Sequence, residues 1–419
     1  MRITFVITNA YGGGGTIRTT LTMAAALAER HDVEVVSVVR HRDDLMLPID
    51  PRIRLRVLVD NSPAARAVRR GSLNPVRQVR SLTHSALGRV ASRLAHPKDV
   101  RYSSFSVRTD LALIRFVRSL DRDVVIGTRP SLNLILARYA PPGVIAIGQE
   151  HMHLAKHGPE LRASYTRLYP RLDAMVTLTE GDAEEYRDLL GPTARIQSVP
   201  NAVPDVGTIR AAHDPETKIV VAAGRLARQK GFDRLVAAWA LVARKHPDWR
   251  LNIFGAGDDA ALQARIDKKK LTDVVALKGF TDAPYERFAE SAIYAMSSRS
   301  EGFPMVLLEA MGCGLPLVSF DCPTGPADII QDGRNGLLVR DGDIKGLAAA
   351  LNRLIDDPQL RQRMGAQGVE MAQNYAPDRV AQRWERLFEE LQRAPRRRTG
   401  RPTTTSALDP EPSPTPLPS

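Results

Sequence analysis

The chain has 419 residues, 43% hydrophobic and 25% charged, a balance that excludes disorder over most of its length. No apolar run approaches the about 18 residues of a membrane-crossing helix. Two cysteines, Cys313 and Cys322, exclude a disulfide framework and a four-ligand zinc site, and read as structural thiols of a cytoplasmic protein.

Taken in chain order, the start of the sequence is too short an apolar run for a signal peptide and predicts a buried strand over Ile3–Thr8. Further strands are predicted at Val33–Val39, Val124–Gly127, Val144–Ile147 and Met175–Leu178, with helical spacing over Thr19–Glu29 and Thr109–Ser119. Between them, Asn61–Leu120 carries twelve Arg or Lys against two acidic residues, Asp99 and Asp110, so this segment supplies +10 of the net charge of +12. No zinc finger or aromatic-rich sheet motif accompanies the charge, which speaks against a nucleic-acid partner and for an anionic membrane surface or polymer. Asn74-Pro75 caps and starts a helix predicted to run through Leu94, with Val76, Val79, Leu82, Leu87, Val90 and Leu94 at helical spacing and Arg77, Arg80, Arg89 and Arg93 interspersed. Such a helix either meets a membrane or an anionic acceptor, or packs on the core with a solvated Arg face.

A second strand series is predicted at Lys218–Ala223, Arg250–Phe254, Val274–Leu277, Ile293–Ser297 and Leu317–Phe320, separated by helices such as Leu235–Lys245. Strand–helix alternation implies parallel sheets covered on both faces, and two series imply two doubly wound α/β domains. The break falls at Val199-Pro-Asn-Ala-Val-Pro204. From Ala394 the composition turns to Arg, Thr, Ser and Pro, which predicts a disordered tail over residues 394–419.

The most informative segment is Glu301-Gly-Phe-Pro-Met-Val-Leu-Leu-Glu309. Pro304 suits a first helical turn and Gly312 and Gly314 an ending, which puts Glu301 in the loop before the helix and Glu309 about five residues inside it. Two carboxylates would stand on one side of a cleft, with the amides near Gly302–Met305 open to an anion. In isolation, such a pair is a loop Glu and a solvated helix Glu. The Glu-x7-Glu spacing in this context resembles the retaining glycosyltransferases of family 4, which have the GT-B fold. Gly224-Arg-Leu-Ala-Arg-Gln-Lys-Gly-Phe-Asp233 resembles that family's donor-phosphate segment, and Gly14-Gly-Thr-Ile-Arg18, Val199-Pro-Asn-Ala-Val203, Lys278-Gly-Phe280 and Asp332-Gly-Arg-Asn-Gly-Leu-Leu-Val339 fall in family order. The resemblance covers roughly residues 1–393.

Its residue chemistry is coherent. A departing nucleoside diphosphate gathers negative charge, and Arg225 and Lys230 would meet it with a guanidinium fork and an ammonium. The resemblance implies that Glu301 holds donor-sugar hydroxyls with Gly302, Phe303 and Pro304 beside it, and that Glu309 binds the ribose. It also places Phe280 at the nucleobase, where a core Phe is the alternative. Gly14 and Gly15 would let backbone approach the donor from the other domain. Many relatives carry a Glu before the Arg of this loop, where Ile17 stands here, so no role of that Glu transfers. In Gln149-Glu-His-Met-His153, His151 is the first choice and His153 the second for the family histidine near the reacting carbon. Arg129 either faces the cleft or is solvated.

The expected organisation is an acceptor-side Rossmann-like domain over residues 1–200, a donor domain over 201–376, and a helix over 377–393 returning to the first domain. The expected reaction transfers a hexosyl group, with retention, from a nucleotide-diphosphate sugar to a cell-envelope polysaccharide, glycolipid or teichoic-acid-like acceptor. Neither a cofactor nor a metal is expected: no DxD-like pair sits in a matching place, and Asp258-Asp259 reads as a turn. The sugar, the base and the oligomeric state stay open. A small secondary metabolite is the alternative acceptor. A GT-B nucleotide-sugar epimerase, a glycosidase, or a non-enzymatic binder of anionic polymers are the rivals of another class. An Arg-to-Lys ratio of about five, by count of the sequence, fits a GC-rich and bacterial genome.

Overall fold

The computed structural model describes residues 1–70, 83, 85–203, 206–212, 214 and 216–394. Arg77, Arg80 and the tail expected beyond Ala394 lie outside the described residues.

Two wholly parallel sheets organise the chain. The first holds β1 (Arg2–Ile7), β2 (Asp32–Arg40), β3 (Arg54–Asp60), β4 (Val124–Gly127), β5 (Ile145–Gln149), β6 (Ala174–Thr177) and β7 (Ile196–Ser198), in the order β3-β2-β1-β4-β5-β6-β7. The second holds β8 (Ile219–Ala223), β9 (Arg250–Phe254), β10 (Val275–Gly279), β11 (Ile293–Met296), β12 (Leu317–Asp321) and β13 (Gly336–Arg340), in the order β10-β9-β8-β11-β12-β13. Central strands such as β4 and β6 are buried at every residue, as a sheet covered by helices on both faces requires. In each sheet the chain begins centrally, winds to one edge, and returns beside its starting strand. The strand order therefore reverses between β1 and β4 and between β8 and β11, and the loops leaving the carboxyl ends of those pairs diverge to leave a crevice.

The strands that sequence patterning does not predict are β3, β7 and β13, and each lies at a sheet edge. β3 alternates charged and apolar residues and is only part-buried, and β7 has three residues, so neither offers a continuous apolar run. The helix predicted through Leu94 instead ends at Arg89. Asp110 captures the next residues: it accepts a hydrogen bond from Ser92 Oγ (2.5 Å) and one from the Arg93 amide (2.7 Å), and Ala91 bridges to Ser106. A carboxylate that satisfies two donors outside a helix competes with helix continuation. Cys313 and Cys322 are buried and unbridged, and burial pushes both thiols up to about 12.

The chain crosses between the halves twice, side by side. Val199 and Ala202 pack in the first half and Val203 and Val206 in the second, and the Val203 amide donates to the Tyr375 carbonyl (3.0 Å). Beyond Tyr375 the helix Pro377–Arg393 returns to the first half. Its Val380, Ala381, Trp384, Leu387, Phe388 and Leu391 recur at helical spacing and share one core with β1 and the helix Gly15–Leu27. Glu385 accepts hydrogen bonds from Arg30 Nε (2.8 Å) and His31 Nε2 (2.9 Å), which fix the helix in register.

Trp384 is 1% exposed in this core. Trp384→Ala should lower unfolding stability by about 3–5 kcal/mol, read as a reduced midpoint in urea denaturation. An unchanged midpoint would mean the returning helix is not part of the first half's core.

Candidate functional site

The crevices of the two sheets meet in one cavity of about 550 Å³. The first half contributes the segment after β1, Gly13–Gly15 with Arg18 and Thr19; the second contributes loops after β8, β10 and β11. Gly14 caps the helix Gly15–Leu27 without any side-chain hydrogen bond, so the helix start opens on the cavity. A Cβ built on Gly14 or Gly15 would meet nothing within 4 Å, so the protein's own packing does not demand either glycine.

In the second half, close backbone approach sets the charges. Gly231 has φ +65°, and a Cβ there would sit 2.0 Å from the Ser297 carbonyl oxygen. Only glycine allows the short helix Arg228–Lys230 to lie so near the end of β11. The Arg299 guanidinium ties the same loops together through two 2.7 Å hydrogen bonds to Asp233. Lys230 Nζ thereby stands 2.7 Å from Glu301 Oε1, which also accepts from Ser298 Oγ at 2.6 Å. Pro304 caps the helix Met305–Gly312, and Glu309 is its fifth residue, as the spacing predicts. Glu309 is 8% exposed and pairs with Arg18 across the cleft, Nη1 to Oε1 3.3 Å. Burial raises its pKa, and the charges of Arg18 and Lys230 pull it back. Arg225 is exposed, lines the cavity and has no ion-pair partner among the described residues.

Of the predicted residues, Gly14, Gly15, Arg225, Lys230, Phe280, Glu301, Phe303, Pro304 and Glu309 line this cavity. Phe280 follows β10 and is 77% exposed, which overturns the core alternative. Gly302 seals the two halves: a Cβ there would lie 2.6 Å from the His151 carbonyl oxygen. That contact places the His151 backbone beside Glu301, but the His151 imidazole is not among the groups lining the cavity. Its Nε2 is buried without a hydrogen-bond partner, and burial together with the charge of Arg129 lowers its pKa to about 3, so the ring is neutral. His153, the second choice, is spent elsewhere, hydrogen-bonded through Nδ1 to Asp182, with Glu185 3.6 Å from Nε2. Arg129 is not solvated: it pairs with the fully buried Asp99 at 3.2 Å. Arg89 and Arg93 are exposed, away from the cavity lining.

Sequence reasoning leaves out two side chains that complete the site, Arg18 and Ser298. Arg18 stands in a segment singled out on sequence and Ser298 just before one, and only the fold shows what they touch.

Residues 14–202 match the family model described as glycosyl transferase 4-like domain, and residues 208–371 match that of glycosyl transferases group 1. An exopolysaccharide phosphotransferase of Streptomyces coelicolor is 36% identical over 395 residues, 93% of this chain and 41% of that protein. A poly(glycerol-phosphate) alpha-glucosyltransferase of Bacillus subtilis is 27% identical over 239 residues, 55% of this chain and 35% of that protein. The chain thus spans less than half the length of either relative. Among solved structures, a Staphylococcus aureus TarM variant in complex with UDP aligns with a TM-score of 0.70 at 15% identity, covering 92% of this chain and 99% of that one. Anabaena HepE in complex with UDP aligns with a TM-score of 0.71 at 16% identity, covering 93% and 100%.

Behind the His151 backbone lies a carboxyl group of a different kind. Glu150 is fully enclosed, and its Oε1 accepts from Tyr169 OH (2.5 Å) and Asn133 Nδ2 (2.9 Å). Burial outweighs these hydrogen bonds and pushes its pKa up to about 8. The unfolded chain would ionise Glu150 near its ordinary 4.5, so the folded state holds the extra proton between these values. Its contribution to stability is therefore complete below about 4.5 and is lost progressively as pH rises to about 8. Glu150→Gln should flatten the pH dependence of unfolding stability across that window and gain on the parent as pH rises. Parallel pH profiles for the two proteins would show that Glu150 is ionised in the fold.

Proposed function

Because the chain belongs to the GT-B glycosyltransferases of the family-4 type, we propose that it transfers a hexosyl group, with retention, from a nucleotide-diphosphate sugar to a cell-envelope polymer or glycolipid. One observation carries the reading: two carboxylates and three cations, drawn from both halves, converge on one cavity where the two switch points meet. Clefts at switch points are where α/β sheets take ligands. A glycosidase would use its two carboxylates without cations beside them, whereas a diphosphate leaving group calls for such cations.

In this reading Arg225 and Lys230 meet the charge that develops on the diphosphate as the glycosidic bond breaks, in a site already shaped to receive it. Lys230 is held ready by Glu301, and the sugar hydroxyls take its place on that carboxylate. Glu309 receives the ribose, and the loop of Phe280 receives the base. The acceptor oxygen attacks on the face that the diphosphate leaves, which retains the anomeric configuration. In this reading the cations serve without a metal. Support for a polymeric acceptor comes from the relatives, named for an exopolysaccharide and for poly(glycerol phosphate).

The acceptor reaches the site at a membrane surface. Arg89 and Arg93 are exposed, as is Val90 next to Arg89 in sequence, a mixture suited to an anionic lipid face. Among the described residues no helix is long and apolar enough to cross a membrane.

A thermal-shift series with UDP-, GDP- and ADP-sugars tests the donor. At about 100 times Kd a ligand adds ~2.7 kcal/mol and raises Tm by a few degrees. One nucleotide class should give this shift, and Lys230→Ala and Glu309→Ala should abolish it. Turnover of that donor should persist in EDTA, and the product anomer should match the donor's by NMR. A shift that survives in both variants would displace the donor from this cavity.

Vesicles with anionic lipid should bind the protein at low salt and release it at high salt, where screening is strong. No binding at low salt would remove the membrane from the account.

A further inference from the structure

Both carboxylates that line the cavity are matched to a cation, and one of those matches joins the two halves. Arg18 stands in the first turn of the helix Gly15–Leu27, its side chain 46% exposed, and reaches the enclosed Glu309 carboxylate of the other half at 3.3 Å. Among the described residues no other ion pair links residues before the first crossing to those between the two crossings. The two partners differ in what separation does to them. Arg18 is half in water and loses little by leaving, because a long, single-contact pair at a wet edge is weak. Glu309 is buried and needs a replacement for its partner.

A nucleoside diphosphate supplies both halves of such an exchange. Its ribose offers hydroxyl donors to Glu309, and its phosphates offer a denser negative charge than the one Arg18 gives up. Arg18 lines the same cavity as Arg225 and Lys230, beside the uncapped helix start at Gly14, so its guanidinium needs only a rotamer change to turn toward an anion there. Building on the donor reading above, we propose that Arg18 is an exchange residue: it pairs with Glu309 across the cleft and passes to the diphosphate when the ribose takes Glu309. Donor arrival thereby converts a contact between the halves into a contact from the first half to the ligand.

The pairing makes a prediction that a merely structural arginine does not share, because the two parts of the nucleotide respond differently to its loss. UDP and uridine are titrated calorimetrically, with GDP and guanosine and ADP and adenosine in parallel, into the parent, Arg18→Gln and Arg18→Ala. For the nucleotide that binds, both variants should weaken the diphosphate by about ten- to a hundredfold, the range of a charge-assisted hydrogen bond. The matching nucleoside should bind as well as to the parent or better, since its competitor for Glu309 is gone. Arg18→Gln keeps a hydrogen-bond donor toward Glu309 without the charge, and so separates exchange from collapse of the carboxylate's surroundings. Arg18→Lys should recover part of the diphosphate affinity. Equal weakening of nucleoside and diphosphate in both variants would reduce Arg18 to a structural brace, and unchanged affinities would remove it from donor binding; either overturns the exchange while leaving the donor reading intact. Failure of all three diphosphates to bind the parent would overturn both.

Discussion

The site depends on the helix Pro377–Arg393, the last among the described residues, being built into the core of the first half. Neither sheet alone carries the full set of charged groups, so the cavity depends on how the halves are held against each other. Two crossings side by side do this, joined by the Val203–Tyr375 backbone hydrogen bond, and the second delivers Trp384 and Phe388 into the layer beneath β1. The apolar face of that helix anchors it, while Glu385, shared by Arg30 and His31, sets where along the helix Gly15–Leu27 it stops. Beyond this anchorage the halves also meet where the Gly302 backbone packs closely against the His151 carbonyl, where Leu178 enters the core of the second half, and through the Arg18–Glu309 pair.

Electrostatics then explains the resting arrangement. A carboxylate as enclosed as Glu309 cannot stand alone, and neither can Glu301 at 9% exposure. Lys230 pairs with Glu301 and Arg18 with Glu309. On the donor reading proposed above, these two cations are engaged by the carboxylates before a diphosphate arrives, and Arg225 is the exposed first point of attraction. Ser298 belongs to this logic: its hydroxyl gives Glu301 a second donor at 2.6 Å and keeps the carboxylate aimed when Lys230 departs.

The parts legible in the sequence are those fixed by local rules. Central strands announce themselves as unbroken apolar runs, and the helix bearing Glu309 is bounded by Pro304 and Gly314. Edge strands β3, β7 and β13 escape because a strand with one wet side need not be apolar throughout. The helix predicted to Leu94 fails at a residue distant in sequence, Asp110, which no local pattern registers. Arg18 was visible as the last residue of a glycine-rich loop, but its partner is 291 residues away. Glu150 stood in plain sight between Gln149 and His151, and its burial comes from Tyr169 and Asn133 on other elements. Chemistry that arises from long-range juxtaposition is not encoded in spacing.

The two halves also differ in the kind of group they bring near the ligand. The second half presents charge: Arg225, Lys230, Glu301 and Glu309. Near the cleft the first half is held largely neutral, with the His151 ring kept uncharged by burial and Glu150 keeping its proton up to about 8. That division suits a reaction in which one partner is a polyanionic leaving group and the other a hydroxyl. Arg18 is the exception, among the described residues the one charged side chain that the first half places on the cavity. Arg18 stands in the first turn of the helix that follows β1, the helix against which the returning helix packs, so its guanidinium is carried on the layer that joins the halves.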